Sequence, residues 1–487
     1  MNTYIGIDLG TSSVKLLLVA ADGGILRSTT EEYPVCYPQS GWSEQDPRDW
    51  LSATVKGLDV LLKGTDRANV KGVSFGGQMH GLVLLDKDDN VIRPAILWND
   101  GRTQKQTNYL NDEVGKKELS RCTANIAFAG FTAPKILWVR ENEPENFARI
   151  AKIMLPKDYL AYKFTGVHST DYSDASGTLL LDVERKRWSA EMCAVCSVKE
   201  EWLPTLYESY AVVGRMKEEF GLPNAVVTAG AGDNAAAAIG TGTTADGDCN
   251  VSLGTSGTVF IAQDRFSVDE NNALHSFAHA SGKYHLMGCI LSAASCNKWW
   301  MEEILQTSDF GKEQDGLEAL LGKNPVYFLP YLMGERSPHN DVNARGGFLG
   351  MRPDTSRGHM TLAVLEGVAF ALRDCVEVAA QSGLSVTRTK ICGGGAKSKL
   401  WKRIIANCFG VPVVTLNTEE GPSYGAAMLA MVGAGEYKNV QSAVEAIVRE
   451  KEVTLPDATL TELYEKKYRV FRTLYPALKG VFGDMAE

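Results

Sequence analysis

At 487 residues the chain is too long for one compact core, and two domains are expected. A hydrophobic share of 44% and a charged share of 22% suit a globular protein, while the formal net charge of −9 argues against non-specific binding to nucleic acid or anionic membrane, since both need basic surface. No apolar run approaches the roughly 20 residues that cross a bilayer, no basic leader with a cleavage site is read, and the ten cysteines are scattered as reduced thiols would be, so a cytoplasmic location is expected.

Three strand-like segments come first: Tyr4–Asp8, Val14–Ala20 and Ile25–Tyr33. Their apolar and β-branched content predicts an antiparallel meander. "DPRDWLSATVKGLDVLL" then carries apolar residues at helical spacing behind an Asp-Pro start. The strand "VKGVSFGG" follows, then "GLVLLD", a D-D-N turn and "VIRPAILW". From about 103 to 166 the pattern is helical, broken by Pro134 and Pro156. Cys193 and Cys196 have C-x-x-C spacing without a second pair, and core positions on a helix are expected. In "AVVTAGAGDNAAAAIGTG" an apolar strand (Ala225–Thr228) ends in small residues, then Asp233, then an Ala-rich helix. The loop "GTGTTADG" marks a boundary between Gly240 and Gly247, giving domains 1–243 and 244–487.

The second domain restarts with the hairpin-like "GDCNVSLGTSGTVFIAQD". His275 and His279 lie four apart beyond it, but without the Glu of a zincin motif no metal role is expected. "TKICGGG" reads as a strand into a Gly-rich turn, before helix "SKLWKRIIANCFG", strand "PVVTL" and helix "YGAAMLAMVGAG". A terminal helix puts Tyr464, Tyr468, Phe471 and Tyr475 on one face, expected to pack rather than to stack on bases. The alternation is mixed α/β.

The tetrapeptide LGTS occurs at Leu9–Ser12 and again at Leu253–Ser256, each time between apolar runs. A tight turn of Gly10, Thr11, Ser12 and Ser13 offers backbone N–H groups and hydroxyls with little side-chain obstruction, which suits phosphate oxygens. Asp8 before the turn cannot bind phosphate itself and makes sense there through a divalent cation; Lys15 follows the turn. A plain hairpin with an Asp cap accounts for one such copy, but two copies imply a nucleotide between two domains. No G-x-x-x-x-G-K-[ST] loop occurs, and neither "GAGDNAAAAIG" nor "GGGAKS" makes a dinucleotide fingerprint. Asp233 falls near a helix N-terminus, where the macrodipole favours a carboxylate by roughly 0.3–1 kcal/mol. It is placed to accept a proton from a hydroxyl, or else to cap the helix. Gly230, Ala231 and Gly232 clear space that a cap would not need. His80 lies in a turn after a strand, either to hydrogen-bond a sugar hydroxyl or as an ordinary turn histidine. Trp98 and Asp100 in "LWNDGR" read as an apolar wall beside a hydroxyl acceptor, or as a strand terminus.

Over essentially its whole length the chain resembles the FGGY family of carbohydrate kinases, within the actin-like ATPase superfamily, and is most similar to its xylulose-phosphorylating members. "GFTAPKILWVREN" and "GGFLGMRPDTSRGHMTLAVLE" fit the family's two signatures, and "GGQMHG", "LWNDGR", "LPKDYL", "TDYSDASGTLLLDV", "GAGDNAAAAIGTG" and "PYLMGERSPHND" resemble further segments. Gly76-Gly77, Val342 and Lys399 are small departures outside the proposed catalytic groups. The resemblance implies an α/β fold of two actin-like (ribonuclease H-like) domains with an interdomain cleft. It implies Asp233 as general base, Asp8 as the residue holding Mg²⁺, and Met79, His80, Trp98, Asp100 and Asn234 on the sugar side. ATP would meet Gly10, Thr11, Ser12 and Lys15 on one side, and Gly254, Thr255, Ser256, Gly394, Gly395 and Ser398 on the other. The implied reaction is phosphorylation of D-xylulose at its terminal hydroxyl, with a possible homodimer. Other acceptors (ribulose, fuculose, gluconate, glycerol), a non-kinase actin-like ATPase and a sugar-binding pseudo-kinase are the alternatives.

Overall fold

Strands β1 (Thr3–Leu9), β2 (Ser13–Ala20) and β3 (Ile25–Glu32) form the expected meander, with Thr3 opposite Ala20 and Leu9 opposite Val14. The computed structural model describes residues 1–418 and 420–485. On the other side of β1 the strand Val70–Gly77 pairs in parallel, followed by Val226–Thr228, also parallel, and Val212–Arg215, antiparallel. The two-residue strand Ala231–Gly232 pairs in parallel with the end of Val70–Gly77. Parallel strands need covered faces. Helix Pro47–Leu61 puts Trp50, Leu58 and Leu61 against one face, among Ile5, Ile7, Leu16 and Val73. Helix Pro422–Gly433 covers the other, with Tyr4, Leu17 and Val19 packed among Met428, Leu429 and Ala430. That second contact is a backbone approach: a Cβ on Gly6 would fall 1.8 Å from the Ser423 carbonyl oxygen.

The chain divides into two compact units, and they are not its linear halves. The first comprises Met1–Thr244 together with Ser276–His285 and Glu420–Val448; the second comprises 245–275, 286–418 and 449–485 among the described residues. This differs from a single boundary at 243/244. Helix Pro422–Gly433 was expected in the second domain but completes the first unit's core. The small residues that allow this, Gly6 and Gly425, are far apart in the chain, so no local pattern announces it.

Within the second unit, consecutive strands run Gly257–Gln263, Asp248–Leu253, Arg388–Cys392, Val413–Leu416 and Glu450–Thr454. Asp248–Leu253 is antiparallel to the first neighbour and parallel to the second, the same pattern that surrounds β1. Helix Arg357–Gln381 packs on Ala458–Asp484, whose Tyr464, Tyr468, Phe471 and Tyr475 are all buried, as expected of a packing stripe.

The region 103–166 departs from its reading. Pro134 is in the first turn of helix Thr132–Asn142, and Pro156 opens helix Pro156–Thr165. Proline lacks the N–H that a first turn leaves unpaired anyway, so both start helices instead of breaking one. A strand, Lys152–Met154, also lies there. Cys193 and Cys196 are buried on helix Ala190–Cys196, where burial pushes their thiols up to about 11 and about 12. All ten cysteines are free. His279 Nε2 lies 3.0 Å from the Thr243 carbonyl and its Nδ1 accepts from Ser281 N, which leaves no lone pair for a metal. No helix among the described residues is long and apolar enough to cross a membrane.

Candidate active site

The first unit's chemistry collects at the C-terminal ends of three parallel strands, where open α/β sheets bind ligands. Register puts Asp8 beside Gly76, and Gly76 beside Ala231; one step on, Gly77 pairs with Gly232, so Asp233 and Gln78 leave the sheet together. Asp8 and Asp233 thus flank a strand end made of two glycines. Side chains are excluded there, because a Cβ on Gly77 would meet Lys157 Cβ at 2.8 Å and one on Gly76 would meet Pro422 Cβ at 3.0 Å.

Asp233 is the first residue of helix Asp233–Gly240, with Gly232 as the cap, so the capping alternative does not hold. Its Oδ1 accepts from the backbone N–H of Asn234 at 2.7 Å and from Asn234 Nδ2 at 2.9 Å. Oδ2 has no hydrogen bond among the described residues and remains available as a base. Burial pushes the carboxyl up to about 6, against the two Asn234 donors. The small residues before it do something other than clear space. Gly230, at φ +75°, admits the Phe75 backbone, and a Cβ on Gly232 would fall 2.9 Å from Met79 Cγ. The glycines allow close packing under the carboxylate.

Asp8 is partly buried. Burial pushes it up to about 7, with Asp233 adding to the rise and Lys15 opposing it. Lys15 departs from its expected role at phosphate: its Nζ pairs with Glu420 Oε2 at 2.5 Å. Asp8 accepts no hydrogen bond among the described residues. Two hard, incompletely neutralised carboxylates on either side of one strand end fit a divalent cation.

Met79 is buried. His80 is no ordinary turn histidine. It holds φ +69°, an unfavourable value for a residue with a Cβ. Its carbonyl is fixed by Lys135 Nζ at 2.8 Å and Thr132 Oγ1 at 3.1 Å. Its ring stacks on Phe131 at 4.6 Å, and Nδ1 lies 2.9 Å from the Gly177 carbonyl. A carbonyl only accepts, so Nδ1 carries the hydrogen and Nε2 is an acceptor. Lys135 was missed in the sequence. It is fully buried, and desolvation holds its ammonium well below the usual lysine range. The signal was a lone lysine inside the apolar helix "TAPKILWV".

Trp98 is 45% exposed and donates from Nε1 to Thr11 Oγ1 at 3.0 Å, linking the expected sugar wall to the first LGTS turn. Asp100 is a correction. It is buried, accepting from Ser43 N at 2.6 Å and from the backbone, Nε and Nη2 of Arg102, whose guanidinium lies 3.7 Å over the Trp42 ring. Its oxygens are saturated by structure, and it braces the wall without lining it. Ser12 is exposed, Gly10 and Thr11 partly so.

Beneath Asp233 lies a buried charge cluster that the sequence did not reveal. Lys157 Nζ contacts Asp158 at 2.7 Å, Asp171 at 2.9 Å and Asp174 at 3.8 Å. Asp171 accepts from Ser173 Oγ, which itself accepts from Gly232 N at 3.2 Å. The network therefore reaches the backbone N–H of Gly232, the residue before Asp233. Burial holds Asp174 well above the usual carboxylate range.

In the second unit a cavity of about 740 Å³ is lined by Thr255, Trp299, Phe310, Gly394, Gly395 and Ser398, among others. Gly254 and Ser256 complete the turn at Thr255; Thr255 and Ser256 are exposed. A Cβ on Gly394 would meet nothing within 4 Å, whereas one on Gly395 would strike Leu253 and Trp401. Ser398 Oγ caps helix Lys399–Phe409 and donates to Gln314 at 2.6 Å. The sequence-derived residues thus form two groups. Asp8, Gly10, Thr11, Ser12, Met79, His80, Trp98, Asp233 and Asn234 belong to the first unit, and the Gly254–Ser256 turn with Gly394, Gly395 and Ser398 to the second.

Comparison with known proteins also separates these two groups of residues, though along a linear boundary that leaves 276–285 and 420–434 with the second domain. The N-terminal domain of the FGGY family of carbohydrate kinases matches residues 3–240, and its C-terminal domain matches 249–434. The chain is 38% identical to a xylulose kinase of Bacillus subtilis, covering 99% of this chain and 98% of that one. It is 39% identical to a xylulose kinase of Escherichia coli, covering 98% and 99%. A solved xylulose kinase structure from Brucella ovis superposes with a TM-score of 0.93 at 38% identity, covering 99% of this chain and 100% of that one.

Proposed function

Because the chain belongs to the FGGY family of carbohydrate kinases, we propose that it transfers the γ-phosphoryl group of ATP to the terminal hydroxyl of D-xylulose, giving D-xylulose 5-phosphate and ADP. The acceptor is carried over from the whole-length likeness to xylulose kinases. The observation that carries the chemistry is Asp233, a carboxylate with one oxygen pinned by Asn234 and the other unpartnered among the described residues.

Phosphoryl transfer asks for positioning and charge neutralisation more than covalent help. The hydroxyl gives its proton to Asp233 Oδ2 as its oxygen bonds to phosphorus and ADP departs. A base held near 6 is ionised at neutral pH yet basic enough to take that proton. His80 Nε2 accepts from a sugar hydroxyl, Trp98 supplies an apolar wall, and Asn234 orients the base. Asp8 would hold Mg²⁺, which when bound neutralises phosphate charge. The second unit's cavity falls in the range of about 300–1,000 Å³ usual for ligand pockets; it takes the nucleotide, with Gly394 and Gly395 allowing close approach. The Gly254–Ser256 turn and the Gly10–Ser12 turn supply phosphate donors. A cytoplasmic homodimer completes the reading, and light scattering of the purified chain tests the dimer.

The test of function is a coupled ADP-release assay with D-xylulose, ribulose, fuculose, gluconate and glycerol. D-xylulose should give the highest kcat/KM, and a higher value for any other acceptor would reassign the substrate.

A further inference from the structure

A pair of buried glutamines lies between the acceptor loop and the first LGTS turn. Gln78 follows Val70–Gly77 and precedes Met79 and His80; Gln45 precedes helix Pro47–Leu61. They are 3% and 2% exposed. Gln78 Nε2 donates to the Gly10 carbonyl at 3.2 Å and to Gln45 Oε1 at 3.1 Å. Gln45 Nε2 donates to the Thr11 carbonyl at 2.6 Å, and its Oε1 also accepts from Trp50 Nε1. Gln78 Oε1 is buried without a partner among the described residues. Part-satisfied buried amides are costly, so this position calls for an explanation beyond filling space.

Peptide planarity supplies one. In a trans peptide the C=O and the following N–H point in opposite directions. A hydrogen bond that fixes the Gly10 carbonyl therefore aims the Thr11 N–H, and one that fixes the Thr11 carbonyl aims the Ser12 N–H. These are the donors the turn offers to phosphate. The same Gln78 is joined by two peptide bonds to His80, whose backbone Lys135 and Thr132 hold in place.

We propose that Gln78, acting with Gln45, is a positioning residue that couples the acceptor loop to the phosphate turn, so that a sugar settling on Met79 and His80 also sets the Thr11 and Ser12 N–H groups. The inference rests on the reading of this side as the acceptor site. Tyr33 provides an internal control. Its hydroxyl donates to the same Gly10 carbonyl at 2.6 Å, but it belongs to no acceptor segment.

Hydrogen exchange on the full chain, with and without saturating D-xylulose and without nucleotide, tests this. In the wild type, ketose should slow exchange both at 78–82 and at 9–15. Tyr33→Phe should keep both responses. Gln78→Met should keep protection at 78–82, lose most of it at 9–15, and lower kcat about tenfold to a hundredfold with the ketose KM within about threefold. Gln45→Leu removes the arm to the Thr11 carbonyl but leaves Gln78 on the Gly10 carbonyl, so it should keep protection at 78–82 and weaken it at 9–15, which carries the test if Gln78→Met does not fold. A response at 9–15 that survives both glutamine variants, or that Tyr33→Phe also abolishes, overturns the coupling alone. No protection at 78–82 in the wild type overturns the acceptor reading and the coupling with it.

Discussion

In the first LGTS turn the Gly10 and Thr11 carbonyls accept from side chains: Tyr33, Gln78 and Gln45. In the second, the Gly254 and Thr255 carbonyls accept chiefly from backbone, the N–H groups of Ala293 and Ala294, with Ser295 Oγ on Thr255. The pairing differs as well. Leu9 faces Val14, whereas Leu253 faces Gly257, so the second turn closes one residue sooner. Asp8 precedes the first turn opposite Lys15, while Ser252 precedes the second opposite Thr258. One tetrapeptide in one sheet pattern therefore sits in two settings: the two carboxylates and the 78–80 loop lie around the first copy, a helix start and a cavity around the second.

The largest effect that would sharpen this contrast is at the paired positions Asp8 and Ser252. Asp8→Asn should raise the Mg²⁺ needed for half-maximal turnover by at least about 10–100-fold, the loss typical even of groups that merely support a metal ligand. Ser252→Ala should change it less than about threefold; equal losses in the two would break the comparison. Gly394→Val, whose Cβ meets nothing, should fold and yet crowd the cavity, weakening ATP binding about tenfold or more by calorimetry while ketose affinity holds. The pH profile follows from the first unit alone. Asp233 must be ionised to accept a proton and Asp8 to hold a cation, so kcat/KM should begin to fall near pH 7 and drop at least about tenfold per unit below about pH 6. His80→Asn tolerates the left-handed backbone but loses the ring, and the ketose KM should rise about tenfold with kcat little changed, the worth of about one hydrogen bond. Trp98→Phe removes the bond to Thr11 and narrows the apolar wall while keeping an aromatic ring, and should lower kcat/KM about threefold.

Local chemistry was legible where it lay in one stretch of chain. The meander, the strand before Asp233 and the aromatic stripe of the terminal helix follow from periodicity. What was not legible depends on partners distant in sequence. Asp100 reads as a free acceptor until Arg102 and Ser43 fold onto it. Lys15 reads as a phosphate contact until Glu420 arrives from four hundred residues away. Pro422–Gly433 reads as part of the second half, because its fit against Gly6 leaves no periodic trace. Lys157 gathers carboxylates from separate segments, and a lysine destined for burial looks in sequence like one on the surface.

Single-turnover phosphoryl transfer by the Asp233→Ala chain, with ATP already bound, addresses the division of labour most directly. The account expects ATP affinity within about twofold of wild type and transfer to D-xylulose slowed about a thousandfold. Transfer within about tenfold of the wild-type rate, or loss of ATP binding along with it, would contradict the assignment of the base to the first unit and of the nucleotide to the second.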